Sequence, residues 1–181
     1  YWEWEEKRRM RPWFQPFIYF KFISFLKIFF NDNPFFWTYV IRILSSFLGF
    51  LSIVYLFFTF RNIFFKKNVN FNYFLYFTFW FYPFLHSRTS SENLSLSLFI
   101  ISICILYKLI EYKNYRENNI LFSLGSFLMG LSMVAKFTTV FNAFPFFLWL
   151  LIFKFKFKRV VIFGSFILAA LVLGLVIDFI N

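Results

Sequence analysis

Residues 35–60 read FFWTYVIRILSSFLGFLSIVYLFFTF and contain one charged side chain, Arg42. A helix needs about 17 to 25 predominantly apolar residues to cross the hydrocarbon core of a bilayer. The sequence therefore predicts a membrane-spanning helix over this stretch. Further apolar runs at residues 71–85, 94–109, 120–135, 138–153 and 160–177 bring the prediction to six crossings.

The overall composition also excludes a water-soluble domain. Hydrophobic residues make up 61% of the chain and aromatic residues 29%, with 36 Phe, whereas soluble domains are about 45 to 50% apolar. Only five Gly and five Pro are present, too few for a turn-rich β fold or a disordered segment. We predict an all-α, polytopic membrane domain of about six to seven helices.

The order of the segments suggests a division of the chain. Residues 34–181 form the predicted multi-spanning domain, and residues 1–33 form an extracytoplasmic or interfacial loop and helix. The sequence begins with Tyr1 and stops at Asn181 directly after an apolar run. We expect an internal piece of a longer protein, incomplete at both ends.

The net charge of +11 belongs to short loops between apolar runs, which predicts membrane orientation rather than nucleic-acid binding. Cytoplasmic loops of membrane proteins are rich in Lys and Arg. The opposite connections carry only Arg88 and Lys136 as bases, so we expect them outside. The loops expected inside carry Arg61, Lys66, Lys67, Lys108, Lys113, Arg116, Lys154, Lys156, Lys158 and Arg159.

The first segment departs from this rule, because it is basic although the crossing order places it outside. Its stretch at residues 13–30 is apolar but includes Lys21 and Lys27. One interpretation is an interfacial or re-entrant helix whose lysines reach the headgroups. The other is a seventh crossing, which would place residues 1–12 inside.

Four polar clusters lie at the helix ends that the charge pattern places outside. Ionisable residues at membrane depth are costly, so their positions are the first candidates for function. Arg is suited to phosphate oxygens, and carboxylates accept protons from sugar hydroxyls. The clusters are Trp2-Glu3-Trp4 with Arg11-Pro12, residues 86–93 (HSRTSSEN), Lys136 with Thr138 and Thr139, and Asp178.

Each cluster also has a structural interpretation. Thr89 to Glu92 fits a helix capping box with Thr89 as N-cap, and Arg88 and Glu92 fit an ion pair. Lys136 fits a lysine that reaches the interface, and Asp178 fits an ordinary loop residue. His86 has no Cys or second His near it, so we expect no metal site.

The order of the clusters resembles glycosyltransferase family 22, the multi-spanning mannosyltransferases of glycan assembly and their bacterial relatives. The Trp2-Glu3-Trp4 motif, Arg11-Pro12 and Gln15-Pro16 resemble the bacterial form, and Arg88 to Asn93 resembles a later Arg-Thr-x-Ser-x-Glu element. Lys136 stands where the family usually carries Arg. Asp178 matches an Asp that normally precedes an aromatic-Gly pair, but Ile180 follows Phe179 here.

The resemblance implies a fold of the GT-C type with its active site at the extracytoplasmic surface, in the bacterial inner membrane rather than the endoplasmic reticulum. The implied partners are the lipid bilayer, a polyprenyl-phosphate sugar donor and a glycan or glycolipid acceptor, without a cofactor. The general base is implied upstream of Tyr1, so we expect this segment to be inactive alone. The implied substrate-binding residues are Glu3, Trp4, Arg11, Arg88, Ser91, Glu92, Lys136 and Asp178.

We therefore expect an inverting transfer of a sugar, mannose in the family, at the outer face of the membrane. Two other classes compete with this hypothesis. A transporter predicts charges near the middle of the membrane, for which Arg42 is the candidate. A non-catalytic scaffold predicts that the four clusters do not converge.

Overall fold

The structure is a computed structural model that describes residues 13–28, 33–64, 89–111, 118–153 and 157–180. Within these ranges it contains α-helices and no strand, which confirms the all-α prediction. The helices are α1 (Phe14–Leu26), α2 (Pro34–Phe64), α3 (Ser91–Glu111), α4 (Asn119–Ala135), α5 (Thr139–Phe153) and α6 (Phe157–Ile180).

Three helices contain segments long and apolar enough to cross a membrane: Pro34–Phe60 in α2, Ser91–Leu109 in α3 and Arg159–Ile180 in α6. The α4 and α5 helices coincide with predicted crossings but are shorter than these three segments, at 17 and 15 residues. The predicted crossing at residues 71–85 lies outside the described residues. The structure is thus a helical membrane domain, as predicted.

The first helix is the shortest of those described. With 13 residues, α1 is about 20 Å long, and a hydrocarbon core is about 30 Å thick. Because α4 and α5 are also shorter than that thickness, the interfacial helix and the seventh crossing both stay predictions for the basic first segment.

Local sequence signals account for where the helices begin. At α2, the Asn33 side chain accepts a hydrogen bond from the Phe35 N–H at 3.0 Å, and Pro34 occupies the first helical position, where no N–H is needed. At α4, Asn118 Oδ1 accepts from the Leu121 N–H at 3.1 Å. Both side chains satisfy backbone donors that the helix itself leaves unpaired.

The α4 helix is at the centre of the bundle and approaches its neighbours through glycines. A Cβ added at Gly130 would lie 2.6 Å from the Ala170 Cβ of α6, and one at Gly174 of α6 would lie 2.5 Å from Val134. At Gly125 the Leu106 side chain of α3 is 3.1 Å away. Small residues let membrane helices approach closely where lipid provides no hydrophobic drive for association.

Contacts along the helices fix their directions. Ser45 of α2 contacts Asn93 of α3, and farther along both helices Phe60 contacts Tyr107. The α2 and α3 helices are therefore parallel. Ser95 and Ser102 of α3 bond to carbonyls of Ser132 and Gly125, respectively, so α4 is antiparallel to α3. The order of the α4–α6 contacts makes these two helices parallel.

These directions place the start of α3, the end of α4, the start of α5 and the end of α6 at one end of the bundle. The opposite end carries two of the bases predicted to be cytoplasmic. The Lys108 ammonium lies 4.3 Å from the centre of the Tyr55 ring, and the Arg159 guanidinium lies 6.0 Å from the Phe122 ring. The apolar core between the two ends is formed by Phe99, Leu106, Leu109, Phe122, Met129, Ala143 and Phe163.

We predict that Gly130→Ala destabilises the domain by about 1 to 3 kcal/mol, a typical cost of overpacking. The new methyl group would overlap Ala170 and the Ile167 carbonyl, which lies 3.0 Å from its position. Thermal unfolding in detergent micelles should show a lower midpoint temperature.

Gly164→Ala is the matched control, because no atom of the described segments lies within 4 Å of its added Cβ. Ala favours a helix over Gly, so this variant should melt at or above the wild-type temperature. Equal midpoints for the two variants would contradict the close α4–α6 contact.

Candidate functional site

A serine sets the beginning of α3. Ser90 Oγ accepts a hydrogen bond from the Asn93 N–H at 3.2 Å, and the Ser90 carbonyl accepts from the Leu94 N–H. The predicted cap at Thr89 is therefore wrong by one residue, because the adjacent Ser90 has an equivalent hydroxyl in the position that reaches the third N–H. Ser91, the first residue of α3, is half-buried beside this cap.

An ion pair joins the start of α3 to the end of α4. The Lys136 ammonium donates to Glu92 Oε1. The side chain of Lys136 is 32% exposed and that of Glu92 is 71% exposed. Two residues 44 positions apart in sequence thus form one charge-paired unit at the surface of the bundle.

The backbone behind Lys136 is fixed by one carbonyl group. The Ser132 carbonyl accepts hydrogen bonds from the Lys136 N–H at 3.1 Å, from Ser95 Oγ at 2.8 Å and from Thr139 Oγ1 at 2.9 Å. Lys136 itself is extended, with φ −153° and ψ 115°, and this conformation ends α4. The Ser132 carbonyl therefore connects α3, α4 and α5 directly beneath the ion pair.

The end of α6 meets the start of α1 at the same end of the bundle. The Trp13 N–H donates to Asp178 Oδ1 at 2.7 Å. Close to it along the chain, the Gln15 amide, which is buried, donates to the Thr89 carbonyl at 2.9 Å. Carboxylates favour the N-terminus of a helix because its N–H groups are unpaired. Asp178 thus belongs to the contact that holds α1 against the bundle.

We call the group formed by Thr89 to Glu92, Lys136, Thr139 and Asp178 the polar end. It presents carboxylates, an ammonium and hydroxyls at one end of apolar helices. Carboxylates and hydroxyls bond sugar hydroxyls, and a cation interacts with phosphate oxygens. Such a set of groups is suited to a sugar, a phosphate ester or both.

The predicted site residues divide into two groups. Ser91, Glu92, Lys136 and Asp178 lie at the polar end. Glu92 contacts Lys136 directly, whereas Asp178 contacts α1. The other predicted residues, Glu3, Trp4, Arg11 and Arg88, lie outside the described residues.

Two contacts at this end involve motif residues to which the sequence assigned no role. Gln15 bonds to Thr89, and the Asn93 amide donates to Ser45 Oγ of α2 at 2.9 Å in a buried position. The available signal was the amide itself, since a buried amide needs a hydrogen-bond partner. In the part of the chain that the structure describes, no group of three or more His, Cys, Asp or Glu could hold a metal ion.

An apolar cavity of about 190 Å³ lies among α4, α5 and α6. It begins one helical turn from Lys136, at Met133 on α4 and Val140 on α5. Its remaining lining residues are Met129, Ala143, Phe144, Phe147, Phe163, Gly164 and Ile167. A cavity with this lining suits hydrocarbon and offers nothing to a sugar.

These features define a multi-spanning helical membrane protein with a sugar- or phosphate-compatible site at one end of its bundle. The chain matches the Alg9-like mannosyltransferase family over residues 1–180, and it belongs to that family. No curated protein and no solved structure matches it. Membership makes the chain part of a membrane glycosyltransferase, in preference to the transporter and scaffold alternatives.

We predict that Ser95→Ala loosens the polar end by removing one of the donors to the Ser132 carbonyl. Hydrogen bonds between membrane helices contribute about 0.6 kcal/mol on average and up to about 1.7 kcal/mol. The free energy of unfolding, measured by denaturation in mixed micelles, should be lower than that of the wild type by an amount within that range.

Ser165→Ala is the control, because among the described residues the exposed Ser165 hydroxyl bonds only to the Ile162 carbonyl of its own helix, at 2.9 Å. It should unfold like the wild type. If Ser95→Ala also unfolds like the wild type, the Ser132 carbonyl does not stabilise the junction.

Proposed function

We propose that the protein transfers mannose from a polyprenyl-phosphate donor to a glycan or glycolipid acceptor at the extracytoplasmic face of the membrane. The observation that supports this proposal is the polar end, where Glu92 pairs with Lys136 and Asp178 lies at the same end of the bundle, in a member of a mannosyltransferase family. The outer face is supported by the opposite end of the bundle, which carries Lys108 and Arg159, because cytoplasmic ends of membrane helices are rich in Lys and Arg. The motifs of bacterial type favour the bacterial inner membrane.

A lipid-linked donor suits the position of the site. The polar end sits directly above membrane-spanning helices, and the apolar cavity opens within one turn of Lys136. A sugar attached to a polyprenyl phosphate reaches such a site from within the bilayer, with its chain in an apolar environment.

The proposed reaction inverts the configuration at the anomeric carbon. An acceptor hydroxyl attacks that carbon as a carboxylate base removes its proton, and the bond from carbon to phosphate oxygen breaks with its electron pair leaving on the phosphate. Arg11 and Arg88 neutralise the charge that develops on the leaving phosphate. Glu3 orients a substrate hydroxyl beside Trp4.

The Glu92–Lys136 ion pair suggests a division of roles. An ammonium is a point charge without the planar fork that a guanidinium offers to phosphate. Because Lys136 contacts Glu92, we assign Lys136 to holding the Glu92 carboxylate in place. Glu92 then positions Arg88 or a sugar hydroxyl, with Ser91 and Asp178 bordering the same substrate.

The direct test is transfer of radiolabelled mannose from polyprenyl-phosphate mannose in membranes that contain the complete enzyme. We expect transfer by the wild type, and its loss in Arg88→Ala with normal expression. Transition-state contacts of this type contribute about 100- to 1000-fold in rate.

Arg159→Ala removes a cation at the opposite end of the bundle and should transfer at the wild-type rate. Near-normal transfer by Arg88→Ala would contradict the role of Arg88. Transfer from a nucleotide sugar instead of the lipid-linked sugar would contradict the proposed donor.

A further inference from the structure

The first turn of α1 is the part of this helix that packs into the bundle. Phe14 and Gln15 are its two buried residues, at 4% and 8% exposure. Farther along the helix, Ile18, Phe20 and Phe25 are exposed. One of the two buried side chains is therefore an amide, although an apolar side chain would be buried at lower cost.

The Gln15 amide bonds to the chain just before α3. Its Nε2 donates to the Thr89 carbonyl at 2.9 Å, and α3 begins two residues later, at Ser91. This bond satisfies the buried amide, which would otherwise lose its hydration without compensation. Two residues before Gln15, the Trp13 N–H donates to Asp178. The first turn of α1 thus links the end of α6 to the beginning of α3.

Bonds from three other helices reach the chain at the beginning of α3. Gln15 of α1 donates to Thr89. Lys136, just after the end of α4, pairs with Glu92, and α2 accepts a hydrogen bond from the Asn93 amide. Each bond reaches a different residue of this short stretch, so both its position and its direction are fixed. A backbone supported in this way can hold a functional side chain in one geometry.

The stretch supported by these bonds directly follows Arg88 in the chain. The proposed function assigns Arg88 to the charge that develops on the leaving phosphate. A guanidinium makes two parallel hydrogen bonds to phosphate only in a restricted geometry, and a misplacement of about 1 Å can cost about 100-fold in rate. Thr89, one residue away, is therefore a point at which a fixed backbone benefits the reaction.

We propose that Gln15 is a positioning residue for the transfer of the sugar. By bonding to the Thr89 carbonyl, Gln15 holds the chain that carries Arg88 and Glu92 in the geometry that the donor phosphate requires. Gln15 acts through this backbone and not through a contact with the substrate. The inference rests on the proposed function for the reaction and for the role of Arg88.

Two substitutions in the complete enzyme separate positioning from packing. Gln15→Leu keeps an apolar side chain of similar size but has no donor. It should lower kcat by up to about 100-fold and change the KM for the donor less, because the charge on the leaving phosphate develops in the transition state.

Gln15→Glu makes the hydrogen bond depend on pH. An ionised carboxylate cannot donate to the Thr89 carbonyl, whereas a protonated carboxyl group can. The transfer rate of this variant, divided by that of the wild type at the same pH, should rise as the pH falls from about 8 to about 5, since burial favours the protonated form. The wild type contains the same Glu92, Lys136 and Asp178, so the division removes their titration.

Asn119→Asp is the matched control, because it makes the same change from amide to acid at the opposite end of the bundle. Asn119 is exposed and is the first residue of α4, where a carboxylate is favourable. Its transfer rate relative to the wild type should be the same at every pH. The melting temperature of Gln15→Glu in nanodiscs should approach that of the wild type as the pH falls, which reports the hydrogen bond without turnover.

The outcomes separate the two proposals. If the wild type transfers mannose and Gln15→Leu does so equally well, the positioning role is overturned and the enzyme function stays in place. The same holds if the relative rate of Gln15→Glu does not change with pH. A lower melting temperature with unchanged kcat per folded enzyme would identify Gln15 as an anchor for α1 only and overturn the proposal. Absence of transfer by the wild type would contradict the proposed function and this role together.

Discussion

The close approach of α4 to its neighbours is the contact on which the rest of the structure depends. Gly125 brings the α4 backbone against Leu106 of α3, Gly130 brings it against α6, and the Ser132 carbonyl accepts bonds from Ser95 of α3 and from Thr139. If α3 and α4 were farther apart, the short Ser95 hydroxyl could not reach that carbonyl. The packing of the apolar helices therefore also determines where the polar side chains lie. The Glu92–Lys136 ion pair lies next to the Ser132 carbonyl, at the end of α4.

Much of the fold could be predicted from the sequence, because a bilayer permits few solutions. Backbone groups in hydrocarbon must pair within their own segment, so long apolar runs imply helices. Predicted crossings at residues 35–60, 94–109, 120–135, 138–153 and 160–177 each correspond to an observed helix. Helix boundaries were less predictable. Thr89 and Ser90 are adjacent and chemically similar, and only the backbone path selects Ser90 as the cap.

The contacts of the site could be predicted only in part. Sparse polar residues at helix ends marked Glu92, Lys136 and Asp178 as candidates, since charge is costly in a membrane. Their partners depend on the register between helices, which no local pattern encodes. Trp13 and Asp178 are 165 residues apart in sequence, and Ser45 and Asn93 are 48 apart.

The central claim is that the polar ends of distant helices meet on the outer face of the membrane. Cys104 is the single cysteine of the chain and is buried, so a Cys104→Ser background permits cysteines to be placed in pairs. With Glu92→Cys and Lys136→Cys, a short bifunctional thiol reagent should cross-link α3 to α4, and a membrane-impermeant maleimide added from outside should block the reaction. Cross-linking of Glu92→Cys with Arg159→Cys instead, or labelling of Lys136→Cys only from the cytoplasmic side, would contradict the account.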